Sequence, residues 1–221
     1  MKKIVLFGSG DNANRILDII IEIKNIKVIG VVDKKKNISK KKNKLNFLGD
    51  ENEFFKNFNK SEKNIYGIIA NGFNFNRKKI VKEVKKKNPN FKWATLIHPS
   101  CNISKSSKIL DGTVVMASTT INNHTKIGKH CLINTSSSID HDNYFDDYSS
   151  CGPGVITGGN VKIGNSSYIG IGTTVKHGVT IGKDTLVGGH SFVNKNCKDN
   201  FIYYGVPIKE IKKRKSSSNY F

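Results

Sequence analysis

One apolar residue in every six, held in phase over 96 residues, constrains this chain more than any other feature. Read from Ile97, the column runs through Ile103, Ile109, Val115, Ile121, Ile127, Ile133 and Ile139, passes Phe145, Cys151 and Thr157, and resumes from Ile163 to Val193; fourteen of its 17 members are Ile or Val. Four places after most of them stands a small or β-branched residue such as Thr113, Thr119, Ser137, Ser149, Ser167, Thr173 or Thr185. A six-residue repeat lays down one short strand and one turn, so three repeats close an 18-residue triangular coil. The Ile/Val column then points inward and stacks on itself about every 4.8 Å. Burial is shared between neighbouring coils, and a little over five coils suffice for a continuous core. The period predicts a parallel β-helix over residues 97–208.

Residues 1–96 carry a different rhythm. Apolar runs at Ile4–Phe7, Val28–Val32 and Ile65–Ala70 read as buried strands. Helical spacing of Ile16, Leu17, Ile20 and Ile23 predicts a helix over Asn14–Lys24, with others near Glu51–Phe58 and Arg77–Lys87. The lysine-rich stretch Lys34–Lys44 reads as a solvated loop. Strand and helix alternate, which predicts a small parallel βαβαβ sheet of Rossmann-like α/β type. Gly8-Ser9-Gly10-Asp11-Asn12-Ala13 is a weak dinucleotide fingerprint, with Asp33 at the ribose-binding place. NAD is therefore an alternative ligand on motif grounds, although three strands are half of a full dinucleotide sheet.

Composition excludes some functions. The formal charge is +20, but 34 of the 37 basic residues are Lys and only Arg15, Arg77 and Arg214 are Arg, whereas base readout leans on Arg. No nucleic-acid partner is expected. No uncharged apolar run approaches the 18 or so residues of a membrane span, and Met1-Lys2-Lys3 precedes too short an apolar run for a leader, so a cytoplasmic location is expected. Cys101, Cys131, Cys151 and Cys197 show neither C-x-x-C nor Cys/His ligand spacing and read as reduced, buried thiols.

Several motifs stand in register on this frame. They are Gly8-Ser9-Gly10, Asp33, Thr95-Leu96-Ile97-His98-Pro99, Asn134-Thr135-Ser136-Ser137, His141, Gly158-Gly159-Asn160-Val161-Lys162-Ile163-Gly164 and Gly205-Val206-Pro207. Together they resemble the hexapeptide-repeat sugar acyltransferases with an N-terminal Rossmann-like domain, a family of nucleotide-linked 4-amino-sugar N-acetyltransferases and sialic-acid O-acetyltransferases. The resemblance implies a left-handed β-helix, a homotrimer, acetyl-CoA as co-substrate and a nucleotide-sugar acceptor used in surface-polysaccharide synthesis. UDP is the first nucleotide expected, with dTDP and GDP as alternatives. A sugar O-acetyltransferase and a non-catalytic trimeric scaffold are the competing readings.

His141 lies two places after Ile139, where the side chain points outward, and imidazole suits removal of a proton from an attacking amine near neutral pH. The resemblance makes His141 the general base, with Asp142 orienting it and Asn134 near the same site. Gly159 follows His141 by 18 residues, one full coil, so the two stack on one face. A free N–H there would support an oxyanion, the role the family gives its matching glycine; a glycine required only by a tight corner is the alternative. Ile171 and Gly189 match acetyl-CoA contacts in relatives, as do Pro207 and Lys209 near the CoA adenine and phosphates. Some relatives have a second, CoA-contacting His nine residues after the base, where this chain has Ser150. For the nucleotide-sugar the resemblance designates Ser9, Gly10, Asp33, Lys34, Gly72 and Asn74. Residues 209–221 read as a basic C-terminal tail. The chain also resembles the γ-class carbonic anhydrases in its 36-residue spacing of His141 and His177, but Gly182 stands at the third ligand place, and no metal is expected.

Overall fold

The computed structural model describes residues 1–34, 45–58, 64–218 and 220, so most of the lysine-rich stretch, residues 35–44, lies outside them. The N-terminal unit runs β1 (Lys2–Phe7), α1 (Asp11–Glu22), β2 (Ile26–Val32), α2 (Glu51–Asn57), β3 (Ile65–Ile69) and α3 (Asn74–Lys87). Its strands are parallel in the order β2-β1-β3. The helices begin three residues earlier than their apolar spacing suggests, because Asp11 and Asn74 open first turns whose polar residues carry no period. Asp50 caps α2 in a reciprocal capping box with Glu53, which fixes the start of that helix. One side of the sheet packs an aromatic cluster of Phe7, Phe54, Phe91 and Trp93.

From Leu96 the chain winds into a left-handed parallel β-helix of about six turns. Two-residue strands pair at 18-residue spacing, so Ile97, Val115, Ile133, Cys151, Ile169 and Val187 form one inward ladder. From Val115 to Val193 the inward column is buried almost completely. The turns repeat with equal strictness: every sixth residue from Gly112 to His190 has positive φ, fourteen in all, and only four of them are glycine. Left-handed backbone is uncommon for non-glycine residues. Here the coil geometry imposes it at Ser118, His124, Asp142 and Tyr148 alike.

The three flat faces have different fates. The first face, carrying Leu96–Ile97, Val114–Val115, Leu132–Ile133 and Ser150–Cys151, is covered by the N-terminal unit. Leu96, Val114 and Met116 share a core with Ile4, Leu6, Ala13, Ile16 and Ile68. The second face carries Ser138–Ile139 and Ile156–Thr157, the third Tyr144–Phe145 and Lys162–Ile163. The last coil shortens from 18 to 16 residues (Val187 to Tyr203) and ends in an antiparallel hairpin, Phe201–Tyr204 with Lys209–Lys213.

Leu96 opens the first strand of the β-helix and also packs in the N-terminal core. In the basic stretch after the coils, Lys209–Lys213 is a paired strand, Arg214 is buried with Nη1 on Asp184 O (3.0 Å), and Tyr220 stacks on Tyr168 (4.1 Å). The Tyr220 hydroxyl accepts the Asn74 N–H at the start of α3 (2.8 Å), tying the C-terminus to the N-terminal unit.

Candidate active site

The corner between the second and third faces carries the chemistry that the sequence singled out. Asp140 follows the Ser138–Ile139 strand of the second face, and its Oδ1 accepts from Asn122 Nδ2 (3.0 Å) and the His141 N–H (2.8 Å). Those hydrogen bonds, the Asn122 one foremost, hold the Asp140 carboxyl below the usual range. Next in the turn, Asp142 takes the left-handed place (φ 55°), and its Oδ2 lies 2.7 Å from His141 Nδ1. That hydrogen bond raises the His141 pKa. A carboxylate at Nδ1 keeps the proton on that nitrogen and leaves Nε2 as the free acceptor. The His141 side chain is 40% exposed, open to a substrate.

Nε2 faces Gly159. A Cβ built on Gly159 would lie 2.4 Å from it and 2.5 Å from Cε1, far inside contact. Gly159 has no positive φ; the left-handed residue of that turn is Asn160. The His141 ring fills the space above Gly159 and would have to shift to admit a side chain there. Among the described residues no backbone acceptor takes the Gly159 N–H. On the far side of Gly159 lies His177, its ring centroid 6.2 Å from that of His141. In the sequence His177 stands out only through its metal-ligand spacing. The 36-residue spacing that brought it in is also the signal for a shared corner.

The corner between the first and second faces holds a different set. Asn134, Ile171 and Gly189 lie there, apart from His141. Asn134 is nearly buried, and its Oδ1 accepts from Arg15 Nη2 of α1. Ile171 is an exposed apolar side chain, and a Cβ on Gly189 would lie 2.9 Å from its Cγ2. Pro207 sits in the exposed turn of the terminal hairpin, whose Tyr204 ring covers Gly188, and Lys209 opens its second strand. His141 and these predicted CoA contacts therefore do not meet within one chain.

A third site is a cavity of about 630 Å³ at the carboxyl ends of the N-terminal strands. Ser9, Gly10, Asp33, Lys34 and Gly72 all line it. Asp33 Oδ2 accepts from the Ser9 N–H (2.8 Å) and hydroxyl (2.7 Å), and Oδ1 from the Lys34 N–H (2.7 Å). Gly8 (φ 113°) crosses close to Ala70, where a Cβ would meet the Ala70 carbonyl at 2.9 Å. The cavity is bordered by the first turn of α1, whose N–H groups favour an anion.

Asn74 and Ser150 lie elsewhere. Asn74 and Ser150 are fully buried where α3 meets the first face. Asn74 Nδ2 donates to Ser166 O and Ser167 O, and the Ser150 hydroxyl donates to Asn74 Oδ1 (2.6 Å). Both are gathered by Arg77, whose guanidinium also donates to the carbonyls of Gly72, His130 and Tyr148. Asn74 therefore does not line that cavity, and the Ser150 hydroxyl is occupied within the interface. Burial lowers the pKa of Arg77.

A pocketed α/β domain seated on a left-handed β-helix, with an Asp-oriented imidazole over a bare glycine rung, defines a class: two-domain hexapeptide-repeat proteins. Two family descriptions match, the PglD N-terminal domain over residues 3–84 and the bacterial transferase hexapeptide (six repeats) over residues 160–195. GDP-perosamine N-acetyltransferase of Escherichia coli O157:H7 is 33% identical over 85 residues, a stretch spanning 38% of the chain and 38% of that relative's length. PerB from Caulobacter crescentus, solved in complex with CoA and GDP-perosamine, is 28% identical with a TM-score of 0.85, covering 96% of this chain and 98% of its own. The acetyltransferase domain of PglB from Neisseria gonorrhoeae (24% identity, TM-score 0.84, 96% and 100% coverage) has the same fold. The N-terminal unit thus matches the PglD N-terminal domain, the coils match the bacterial transferase hexapeptide, and the whole chain has the fold of PerB.

Proposed function

We propose that the protein is an acetyl-CoA-dependent N-acetyltransferase acting on the amino group of a nucleotide-linked 4-amino-4,6-dideoxy sugar. The observation that carries the reading is His141 Nε2, freed by the Asp142 contact at Nδ1 and directed over Gly159. The neutral amine attacks the thioester carbonyl, and His141 Nε2 takes its proton. The Gly159 N–H supports the oxyanion, a contribution of about 3 kcal/mol in comparable sites. Ser9, Gly10, Asp33, Lys34 and Gly72 hold the nucleotide, its diphosphate toward the first turn of α1. PerB binds GDP-perosamine, and this favours a GDP-linked sugar ahead of the UDP-linked one that the family resemblance suggested.

One chain is an incomplete enzyme on this reading. The N-terminal unit covers the first face, and His141 stands at the opposite corner of the triangular coil. Asn134, Ile171 and Gly189 occupy yet another corner. Packing the base corner of one copy against the Ile171–Gly189 corner of the next unites base and CoA contacts, and a closed trimer does this three times. The test is incubation of wild type and His141→Ala with acetyl-CoA and GDP-, UDP- and dTDP-linked 4-amino-sugars, following thiol release. Fast release with one amine, lost in the variant, supports the reading. Release with hydroxyl acceptors alone replaces it with O-acetylation.

A further inference from the structure

The two coils between His141 and His177 separate their backbones by roughly 9.6 Å at 4.8 Å per coil. Their ring centroids are only 6.2 Å apart, so the imidazoles lean toward one another across the intervening rung. That rung is Gly158-Gly159. A Cβ on Gly158 would lie 2.8 Å from the His177 backbone N, and one on Gly159 would strike the His141 ring, so neither place admits a side chain without movement. The result is a bare floor bordered by an imidazole on each side, with a Gly159 N–H that no backbone acceptor takes among the described residues.

We propose that His177 is a second catalytic residue, the group that protonates the departing sulfur of CoA while His141 takes the proton of the amine. The inference rests on the acetyltransferase reading above. A tetrahedral centre seated over Gly159 carries the sugar nitrogen and the CoA sulfur on different substituents, and the two rings border the same floor from opposite sides. The amine nitrogen forms the C–N bond, the carbonyl electron pair moves to oxygen, and His141 Nε2 takes the N–H proton. On collapse the C=O bond re-forms and the C–S bond breaks. Sulfur leaves with the bonding pair and takes a proton from the His177 imidazolium, giving CoA thiol and amide. One proton has entered at His141 and one has left at His177, and solvent resets both rings.

The experiment measures His177→Ala and His177→Gln beside wild type, first with acetyl-CoA. The alanine variant should lose about 100-fold in kcat, the lower end for a general acid, with the KM for acetyl-CoA within about twofold. The same proteins are then given two truncated acetyl donors, the N-acetylcysteamine thioester and the 5-thio-2-nitrobenzoate thioester. The ratio of wild-type to variant kcat/KM should stay large for the alkyl thiol, a poor leaving group, and approach one for the aryl thiol, which departs without a proton. Unchanged kcat with acetyl-CoA overturns the proposal, as does a defect confined to KM or one equal for both truncated donors. Gln supplies a hydrogen bond but no transferable proton, so full activity in His177→Gln also overturns it. A wild type inactive with every amine instead removes the acetyltransferase reading itself.

Discussion

Replacing Gly159 with alanine tests the site at its tightest point. The backbone there is not left-handed, so alanine fits the turn, and the N–H remains in place. The variant therefore isolates space from both conformation and oxyanion support. The new methyl would sit 2.4 Å from His141 Nε2 and 2.5 Å from Cε1. Ordinary contact between such atoms is about 3.5 Å, so the ring must retreat by roughly 1 Å. A displacement of that size at a reacting group costs about 100-fold in rate. It also pulls Nδ1 away from Asp142, whose 2.7 Å contact orients the ring. The assay is steady-state kinetics with acetyl-CoA and the preferred amino-sugar, beside thermal unfolding. We expect kcat to fall about 100-fold with little loss of stability, because the His141 side chain is solvent-accessible. Wild-type kcat in Gly159→Ala would refute the claim that the glycine exists for the His141 ring.

Asp142 raises the His141 pKa, and His141 is an active base only when unprotonated. Asp142→Asn should therefore move the rising limb of the kcat/KM–pH profile to lower pH and lower its plateau; an unmoved limb refutes the assignment. Arg77→Met leaves several buried carbonyls without donors, and at about 1 kcal/mol each denaturant unfolding should show a loss of about 2–4 kcal/mol. Asp33→Ala removes the acceptor for both Ser9 donors, so the KM for the nucleotide-sugar should rise about tenfold, equivalent to about 1.4 kcal/mol, with that for acetyl-CoA unchanged. Tyr220→Ala deletes a ring stacked 4.1 Å from Tyr168, and calorimetry should show a loss of about 1 kcal/mol.

The six-residue period and the alternation before it determined most of this architecture. An inward column of Ile and Val every sixth residue leaves one stable arrangement of strand, turn and stack, so the coils, their register and the pairing of His141 with Gly159 follow from counting. Ser9, Gly10 and Asp33 were legible for a similar reason: a strand ending in Gly-x-Gly places its neighbours at the mouth of a parallel sheet, whereas Lys34 and Gly72 came from the family resemblance alone.

The period states whether a residue points inward or outward, but not which of three outward faces another domain will cover. That depends on contacts between segments far apart in the chain. Ser150 and Asn74 look accessible in sequence and are buried because Arg77 draws α3 onto the first face. Lys209–Lys213 looks like a solvated tail and becomes a strand because the shortened last coil leaves an edge to pair. His177 looks remote from His141 at 36 residues, yet the two rings lie 6.2 Å apart. The cause is a missing side chain: with only Gly158-Gly159 between them, nothing holds the two imidazoles apart.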